Sequence, residues 1–135
     1  MNFIYLDSCI VIYLVENHPV YANFIQQKIE SMKKIHFAIS PLVRLEVLTR
    51  PCREKNQALI DDFKTFLAIP DSLPMVDEVF DLSLNLRVQF GLKVPDALHL
   101  ATAQFHDCTA FWTNDNRLKK VSGIALNVLE ETVAE

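Results

Sequence analysis

Four acidic residues are the side chains in this sequence best placed to carry out chemistry. Asp7 comes directly after a short apolar run, and Asp115 comes shortly after a β-branched and aromatic run. Asp96 falls in the first turn of a helix that Pro95 opens, and Glu46 lies in the first half of a strongly apolar helix. Because ligands of parallel α/β sheets bind beyond the carboxyl ends of the strands, we expect all four side chains to face that end of the sheet.

Carboxylates that converge in one cleft point to a bound cation. They repel each other, and burial increases the free-energy cost of that repulsion. Such a cluster is stable mainly when a hard cation holds it, and Mg²⁺ or Mn²⁺ prefers oxygen ligands. A cation held in this way suits phosphodiester hydrolysis, because it brings phosphate and attacking water together and stabilises the developing charge. The four histidines show neither an HExxH pattern nor zinc-ligand spacing, so the sequence indicates no other kind of metal site.

Each acid also has an ordinary structural explanation. Asp7 and Asp115 can act as helix caps, and Asp96 can stabilise its helix start through the helix dipole by about 0.5 kcal/mol. Glu46 can form an ion pair with Arg50, one turn later on the same helix. Taken singly, the four residues leave both interpretations open.

The elements that must position these acids alternate along the chain. Short apolar runs alternate with amphipathic stretches, which predicts a single α/β domain over residues 1–135. We expect a three-layer arrangement, in which helices flank a mostly parallel sheet of four to five strands. The predicted strands are Phe3–Leu6, Phe37–Ile39, Ser72–Val76, Thr109–Thr113 and Ile124–Val128. The predicted helices are Cys9–Glu16, Val20–Lys34, Pro41–Arg50, Glu54–Ala68, a helix that ends at Phe90, Pro95–His106, and a short piece that ends at Lys120. Ser8 and Asp77 are the predicted N-caps of the first and the fifth of these helices. Pro51 is predicted to end the third helix and Gly91 the fifth.

Composition excludes several classes of protein. The net charge of −4 argues against a broadly basic nucleic-acid binder, and two glycines, Gly91 and Gly123, are too few for a glycine-rich phosphate loop. No apolar run reaches the roughly 20 residues of a membrane span. The first residues lack the basic segment of a signal peptide, which predicts a cytoplasmic protein without membrane association. The three cysteines are an odd number without CxxC spacing and are predicted to be free thiols.

Three segments, in order, resemble the PIN-domain ribonucleases, and among them the VapC-type toxins of bacterial toxin–antitoxin modules. The segments are IYLDSCIVIYLVE, SPLVRLEVL and VPDALHLATAQFHDCTAFWTNDNRL, and the resemblance extends over nearly the whole chain. The last of them, a DALHLATA helix followed by a strand and the residues TND, is the most specific. The acidic positions of the family coincide with Asp7, Glu46, Asp96 and Asp115.

The resemblance implies a Mg²⁺- or Mn²⁺-dependent endoribonuclease that a cognate, VapB-like antitoxin neutralises, often as a homodimer. It implies that Asp7 and Asp96 are the principal metal ligands. Glu46 and Asp115 would complete the metal sphere or orient water, and Ser8 and Thr113 would support these ligands.

Other residues near the acids permit two interpretations. His99 follows Asp96 by one helical turn, and we interpret it as a core or supporting histidine rather than a general acid. Arg117, Lys119 and Lys120 could contact substrate phosphates or form an ordinary solvated surface. Trp112 lies within a predicted strand and is interpreted as a core residue rather than a platform for base stacking.

Two alternative functions remain open at the level of the sequence. One is a catalytically silent PIN-like scaffold that binds RNA or regulates a partner, which the four intact acids disfavour. The other is a phosphoryl-receiver or phosphatase domain with Asp7 as acceptor. The phosphatase pattern requires a second aspartate two residues later, where this chain has Cys9.

Overall fold

The structure, a computed structural model, describes residues 2–115, 117, 118 and 121, together with the backbone of residues 125–128. Within that part of the chain, five strands form one sheet. The strands are β1 (Asn2–Leu6), β2 (Ile35–Ile39), β3 (Asp71–Ser72), β4 (Ala110–Thr113) and β5 (Ala125–Val128). The helices are α1 (Ser8–Val15), α2 (Tyr21–Glu30), α3 (Pro41–Arg53), α4 (Gln57–Leu67), α5 (Asp77–Phe90) and α6 (Val94–Phe105).

All strand pairs are parallel, and the order across the sheet is β3-β2-β1-β4-β5. The chain runs outward from β1 to β3 and then returns to the other side of β1 to form β4. Because crossovers between parallel strands are right-handed, this reversal places α1 to α4 on one face of the sheet and α5 and α6 on the other. The observed packing agrees, since α1 contacts α2, α3 and α4, whereas α5 packs along α6. The predicted three-layer α/β fold is confirmed.

Strand β1 lies at the centre of the sheet and determines where polar side chains meet. Its residues Ile4, Tyr5 and Leu6 are all buried, as expected for a strand covered on both faces. Leu6 pairs with Trp112 of β4, so the carboxyl ends of these two strands lie side by side. The order of strands reverses at this point, which is where ligands of doubly wound sheets bind.

The starts of two helices differ from the predictions. Helix α1 begins at Ser8 rather than Cys9, because Asp7 and not Ser8 is its N-cap. The Asp7 carboxylate accepts a hydrogen bond of 2.7 Å from the backbone N–H of Ser8. The N-cap of α5 is Val76 rather than Asp77. Asp77 is the first helical residue, where its negative charge interacts favourably with the positive end of the helix dipole.

The predicted helix end at Pro51 is wrong. Helix α3 continues to Arg53 with Pro51 inside its last turn, where the missing N–H of proline removes one hydrogen bond only. Helix α4 consequently starts at Gln57 rather than Glu54, and the side chain of Asn56 caps it.

The remaining elements lie close to their predicted positions. Strand β3 consists of Asp71–Ser72 instead of Ser72–Val76, since the nearby Pro74 lacks the N–H that a strand needs. Helix α2 is shorter than predicted and ends at Glu30. Helix α5 ends as predicted at Gly91, whose φ of 69° lies in the left-handed region that favours glycine. Ile124 and the end of the predicted short helix at Lys120 lie outside the described residues.

The core is formed by apolar residues from both faces of the sheet. Trp112, Tyr5, Phe63 and Phe111 are among the largest fully buried side chains, so the interpretation of Trp112 as a core residue is confirmed. None of the helices that the structure describes combines the length and apolar character needed to cross a bilayer.

Candidate active site

The pairing of β1 with β4 brings two polar residues into direct contact at the carboxyl end of the sheet. The backbone N–H of Asp7 donates to the carbonyl of Trp112 at 3.0 Å, which places Asp7 beside Thr113. The Thr113 hydroxyl donates to Asp7 Oδ2 at 2.7 Å. Since Asp7 Oδ1 accepts from the Ser8 N–H, both carboxylate oxygens are held. Asp7 is therefore a helix cap and a fixed member of the acidic cleft at the same time.

Glu46 of α3 turns toward this edge of the sheet rather than along its own helix. Its Oε1 accepts from Ser8 Oγ at 2.6 Å and lies 2.6 Å from Nε2 of His99. The ion pair with Arg50 that the sequence allowed is wrong, because Arg50 pairs with Glu16 at 3.0 Å.

Contacts with neighbouring donors favour the ionised form of Glu46. Burial works against ionisation of this carboxyl group, but the hydrogen bonds from His99 and Ser8 outweigh it, together with the positive charge that His99 can carry. The pKa of Glu46 consequently lies below its ordinary value. Glu46 is therefore an anion at neutral pH.

Asp115 is held by its neighbours on both sides. Its backbone N–H donates to Thr113 Oγ1 at 3.2 Å, and its carboxylate accepts from Arg117 Nε at 2.9 Å. The hydrogen bond from Arg117 holds the pKa of Asp115 below its ordinary value despite partial burial. Of the three basic residues considered from the sequence, Arg117 thus contacts the acids themselves, while Lys119 and Lys120 lie outside the described residues.

Asp96 lies in the first turn of α6, as predicted, and experiences the charges of the other acids. Burial raises its pKa, and so do the negative charges of Asp7 and Asp115, against the opposing effects of Arg117 and His99. Arg117 Nη2 is 3.9 Å from Asp96 Oδ2, so this guanidinium lies between two of the acids. Apart from burial, the charges of Asp7 and Asp115 contribute to this increase, which indicates that the three carboxylates lie near each other.

The donors of this cleft fit a hard cation in their chemistry. They are carboxylate oxygens that repel each other, and Mg²⁺ or Mn²⁺ binding would relieve that repulsion. Among the residues that the structure describes, however, no three His, Cys, Asp or Glu side chains lie close enough to hold a metal ion together. Arg117 already supplies positive charge to Asp115 and Asp96. Metal binding would therefore require Arg117 to move and the carboxylates to approach each other.

Three of the acids, Asp7, Asp96 and Asp115, line open cavities at this edge of the sheet. One cavity of about 510 Å³ is lined by Asp7, Cys9, Tyr13, Thr113, Asn114, Asp115 and Arg117. A second cavity, of about 480 Å³, extends from Asp96 and Arg117 to the loop after α5. Burial raises the pKa of Cys9 to about 12, so its thiol is protonated and is a poor nucleophile in this cleft.

Sequence reasoning missed two buried hydroxyl groups beside the site. Tyr5 Oη lies 2.7 Å from Ser40 Oγ and 2.7 Å from His99 Nδ1. The available signals were a tyrosine within an otherwise apolar strand and a serine directly after β2, and neither points to a particular partner. His99 itself is buried and supports Glu46, in agreement with its interpretation as a supporting histidine.

The family model of the PIN domain matches residues 4–124. The chain belongs to the PIN-domain family. The matched residues include Asp7, Glu46, Asp96 and Asp115 and the residues that line both cavities. Membership in this family disfavours the phosphoryl-receiver alternative, in which Asp7 would be a covalent acceptor. None of the curated protein sequences compared with the chain matches it.

Solved structures share this PIN fold over most of their length. The VapBC2 complex from Rickettsia felis, bound to a DNA fragment from its promoter, is 18% identical with a TM-score of 0.77 and coverage of 93% of this chain and 98% of that one. A toxin–antitoxin complex from Klebsiella pneumoniae is 24% identical with a TM-score of 0.72 and coverage of 90% and 94%. The DNA-bound VapBC from Salmonella typhimurium is 16% identical with a TM-score of 0.73 and coverage of 95% and 98%. At these identities the similarity establishes the fold.

Proposed function

We propose that this PIN-domain protein is a metal-dependent endoribonuclease of the VapC toxin type, which hydrolyses phosphodiester bonds of RNA. The observation that supports the proposal is that Asp7, Glu46, Asp96 and Asp115 all lie near the edge of the sheet where the strand order of the PIN fold reverses. Three of these acids influence each other electrostatically, and the fourth is joined to them through His99 and Ser8. A protein that only needed a stable fold would gain nothing from this repulsion.

In this proposal Asp7 and Asp96 would hold Mg²⁺ or Mn²⁺, and Glu46 and Asp115 would complete the ligand set or orient water. The bound cation supplies charge stabilisation for the phosphate and lowers the pKa of water. Thr113 and the Ser8 N–H keep both oxygens of Asp7 in place. Ser8 Oγ and His99 keep Glu46 ionised and directed at the cleft. Binding of a cation to Asp115 would require Arg117 to release this carboxylate, and the guanidinium would then be available to a substrate phosphate.

The test is cleavage of end-labelled RNA by the purified protein. We expect cleavage with Mg²⁺ or Mn²⁺, none with EDTA, and a loss of at least about 100-fold in Asp7→Asn and Asp96→Asn, as expected for removal of a metal ligand. Asp62→Asn, a change of the same type on the exposed face of α4, should cleave like the wild type. Unchanged cleavage by both site variants would contradict the proposed mechanism.

The proposed partners are an RNA substrate, a cognate VapB-like antitoxin and a second copy of the chain. Support for the antitoxin comes from the solved structures with the same fold, which include VapBC complexes and another toxin–antitoxin complex. The homodimer and the cytoplasmic location are proposed from the resemblance of the sequence to VapC toxins. Light scattering of the purified protein tests the dimer. Co-expression with the product of a neighbouring short gene tests the antitoxin, because a cognate pair should co-purify and lose cleavage activity.

A catalytically silent scaffold is the second candidate function, and one observation favours it. Arg117 neutralises Asp115 and approaches Asp96, so the described acids are partly compensated without a cation. Tight binding of RNA or of a partner protein, together with no metal-dependent cleavage of any RNA tested, would identify the protein as a scaffold.

A further inference from the structure

A chain of hydrogen-bonded polar groups runs from the buried interior of the domain to the partly exposed Glu46. It consists of Ser40, Tyr5, His99 and Glu46, and successive polar atoms are 2.7, 2.7 and 2.6 Å apart. Ser40 and Tyr5 are fully buried, and His99 is 2% exposed. Buried polar groups are stable only when they are hydrogen-bonded, so each member depends on the next.

The chemistry of the two ends indicates the direction of the hydrogen bonds. An ionised Glu46 carboxylate only accepts, so His99 Nε2 carries a proton and donates it to Oε1. Burial raises the pKa of Tyr5 well above its ordinary value, so its hydroxyl is protonated and can donate. In a neutral imidazole the second nitrogen, Nδ1, is an acceptor, and Tyr5 Oη is the donor that lies against it. Ser40 then donates to Tyr5, and the chain is consistent throughout.

We propose that Tyr5 is a positioning residue, whose hydroxyl fixes His99 in the tautomer and ring orientation that direct Nε2–H at Glu46. The packing of the ring supports this assignment, because Tyr5 stacks on Phe111 at 5.4 Å with an interplanar angle of 7°. The hydroxyl therefore cannot swing away from the imidazole. Ser40 orients the same hydroxyl from the other side.

This role extends to more than one acid of the cleft. His99 Nε2 is 2.6 Å from Glu46 Oε1 and 3.8 Å from Asp7 Oδ1, so one N–H group faces both carboxylates. Histidines at metal and acid sites are commonly held by a hydrogen bond to their other ring nitrogen, which sets the tautomer. The functional importance of Tyr5 rests on the proposed ribonuclease activity, whereas its effect on His99 does not.

The opposite direction of the chain is the competing arrangement. If His99 carried protons on both nitrogens, Nδ1–H would donate to Tyr5 and the Tyr5 hydroxyl would donate to Ser40. The protonation of His99 would then determine the orientation of the Tyr5 hydroxyl, and Tyr5 would not select the tautomer of His99. The two arrangements place different numbers of protons on the ring, which makes them distinguishable by spectroscopy.

The decisive experiment is ¹⁵N NMR of the histidine side chains in the metal-free protein at about pH 8, because the ¹⁵N shifts report which ring nitrogen carries a proton. The His99 signals are assigned by comparison with His99→Gln. We expect a protonated Nε2 and an unprotonated, hydrogen-bonded Nδ1. In Tyr5→Phe, which keeps the stacked ring, we expect a changed Nδ1 shift and faster exchange of the Nε2 proton with water, because the ring has lost the hydrogen bond that fixes it. Tyr21→Phe, which removes a hydroxyl away from this chain, should leave the His99 signals unchanged.

Two results overturn the proposal: a proton on Nδ1 of His99 in the wild type, or a Tyr5→Phe spectrum identical to that of the wild type. Ser40→Ala provides a second variant and should change the same signals in the same direction by a smaller amount. If Tyr5→Phe does not fold, Ser40→Ala decides the outcome on the same criterion.

The RNA assay separates this inference from the proposed function. Given activity, Tyr5→Phe should lower kcat about tenfold with little change in KM, since Tyr5 does not touch the cleft. If the NMR spectra are as expected but the protein cleaves no RNA, the ribonuclease proposal is contradicted and the role of Tyr5 is not. If the wild-type protein cleaves RNA but carries a proton on Nδ1 of His99, the proposed role of Tyr5 is contradicted and the ribonuclease proposal is not.

Discussion

Replacement of Glu46 by Gln should destabilise the metal-free protein by about 1–2 kcal/mol at neutral pH. Glu46 Oε1 accepts two hydrogen bonds of 2.6 Å, from Ser8 and His99. A hydrogen bond to a charged group contributes about 1.5–3 kcal/mol and a neutral one about 0.5–1.5 kcal/mol, so loss of the charge costs roughly 2–3 kcal/mol for the pair. The Glu46 side chain is 33% exposed, and solvent screening reduces this to the stated range of about 1–2 kcal/mol. Urea unfolding with EDTA present measures the difference without a contribution from metal binding.

The destabilisation caused by Glu46→Gln should also depend on pH, with a sign fixed by the lowered pKa of Glu46. A carboxyl group with a lowered folded-state pKa stabilises the protein fully above its ordinary pKa of 4.5, and it loses that contribution as the pH falls through the folded-state value. The difference between wild type and Glu46→Gln should therefore be constant between pH values of about 6 and 8 and disappear in acid. Glu54→Gln, an exposed change at the end of the same helix, should have little effect at any pH. Equal stability of wild type and Glu46→Gln at neutral pH would refute the reasoning that these contacts hold a charged carboxylate.

Two further changes test the charges of the cleft. Asp96→Asn should leave the free energy of unfolding of the metal-free protein unchanged or raise it by up to about 0.5 kcal/mol, as urea unfolding at neutral pH would show. Because the pKa of Asp96 is raised in the folded state, its negative charge destabilises the folded protein at neutral pH, and removal of that charge should stabilise it. Loss of the favourable interaction of Asp96 with the helix dipole reduces this stabilisation. A clear decrease in the free energy of unfolding of Asp96→Asn would contradict this explanation. Arg117→Ala should increase the affinity for Mn²⁺ about two- to fivefold in a titration followed by electron paramagnetic resonance, because the guanidinium competes with the cation for Asp115 and Asp96. Arg53→Ala removes the same charge from the exposed end of α3 and should leave the affinity almost unchanged, whereas equal effects of the two variants would indicate a general charge effect.

The sequence allowed prediction of the fold and of which acids share an edge of the sheet, for identifiable reasons. Buried strands such as β1 and β4 are short apolar runs, and a polar residue directly after such a run must lie at a carboxyl end. This placed Asp7 and Asp115 near each other without any knowledge of side-chain contacts. The position of Gly91 likewise predicted the end of α5, because its backbone conformation favours glycine over residues with a side chain.

The contacts that depend on tertiary packing could not be predicted in this way. Local sequence allows an ion pair of Glu46 with Arg50, but Arg50 pairs with Glu16 at the end of α1, and Glu46 contacts His99 instead. Proline usually ends a helix, but Pro51 lies in the last turn of α3, where its missing N–H costs only one hydrogen bond. The link between Tyr5 and His99 joins residues 94 positions apart, and no local pattern specifies it.

The central position of β1 between β2 and β4 has a consequence for how the protein is made. Asp7 is synthesised before the strand that holds it in place, because β4 comes more than 100 residues later in the chain. Because domains emerge from the ribosome from the N-terminus onward and contacts distant in sequence form late, a nascent chain carries Asp7 without Thr113 beside it. The acidic site is therefore incomplete in a growing chain, and it can form only after nearly the whole domain has been released to fold.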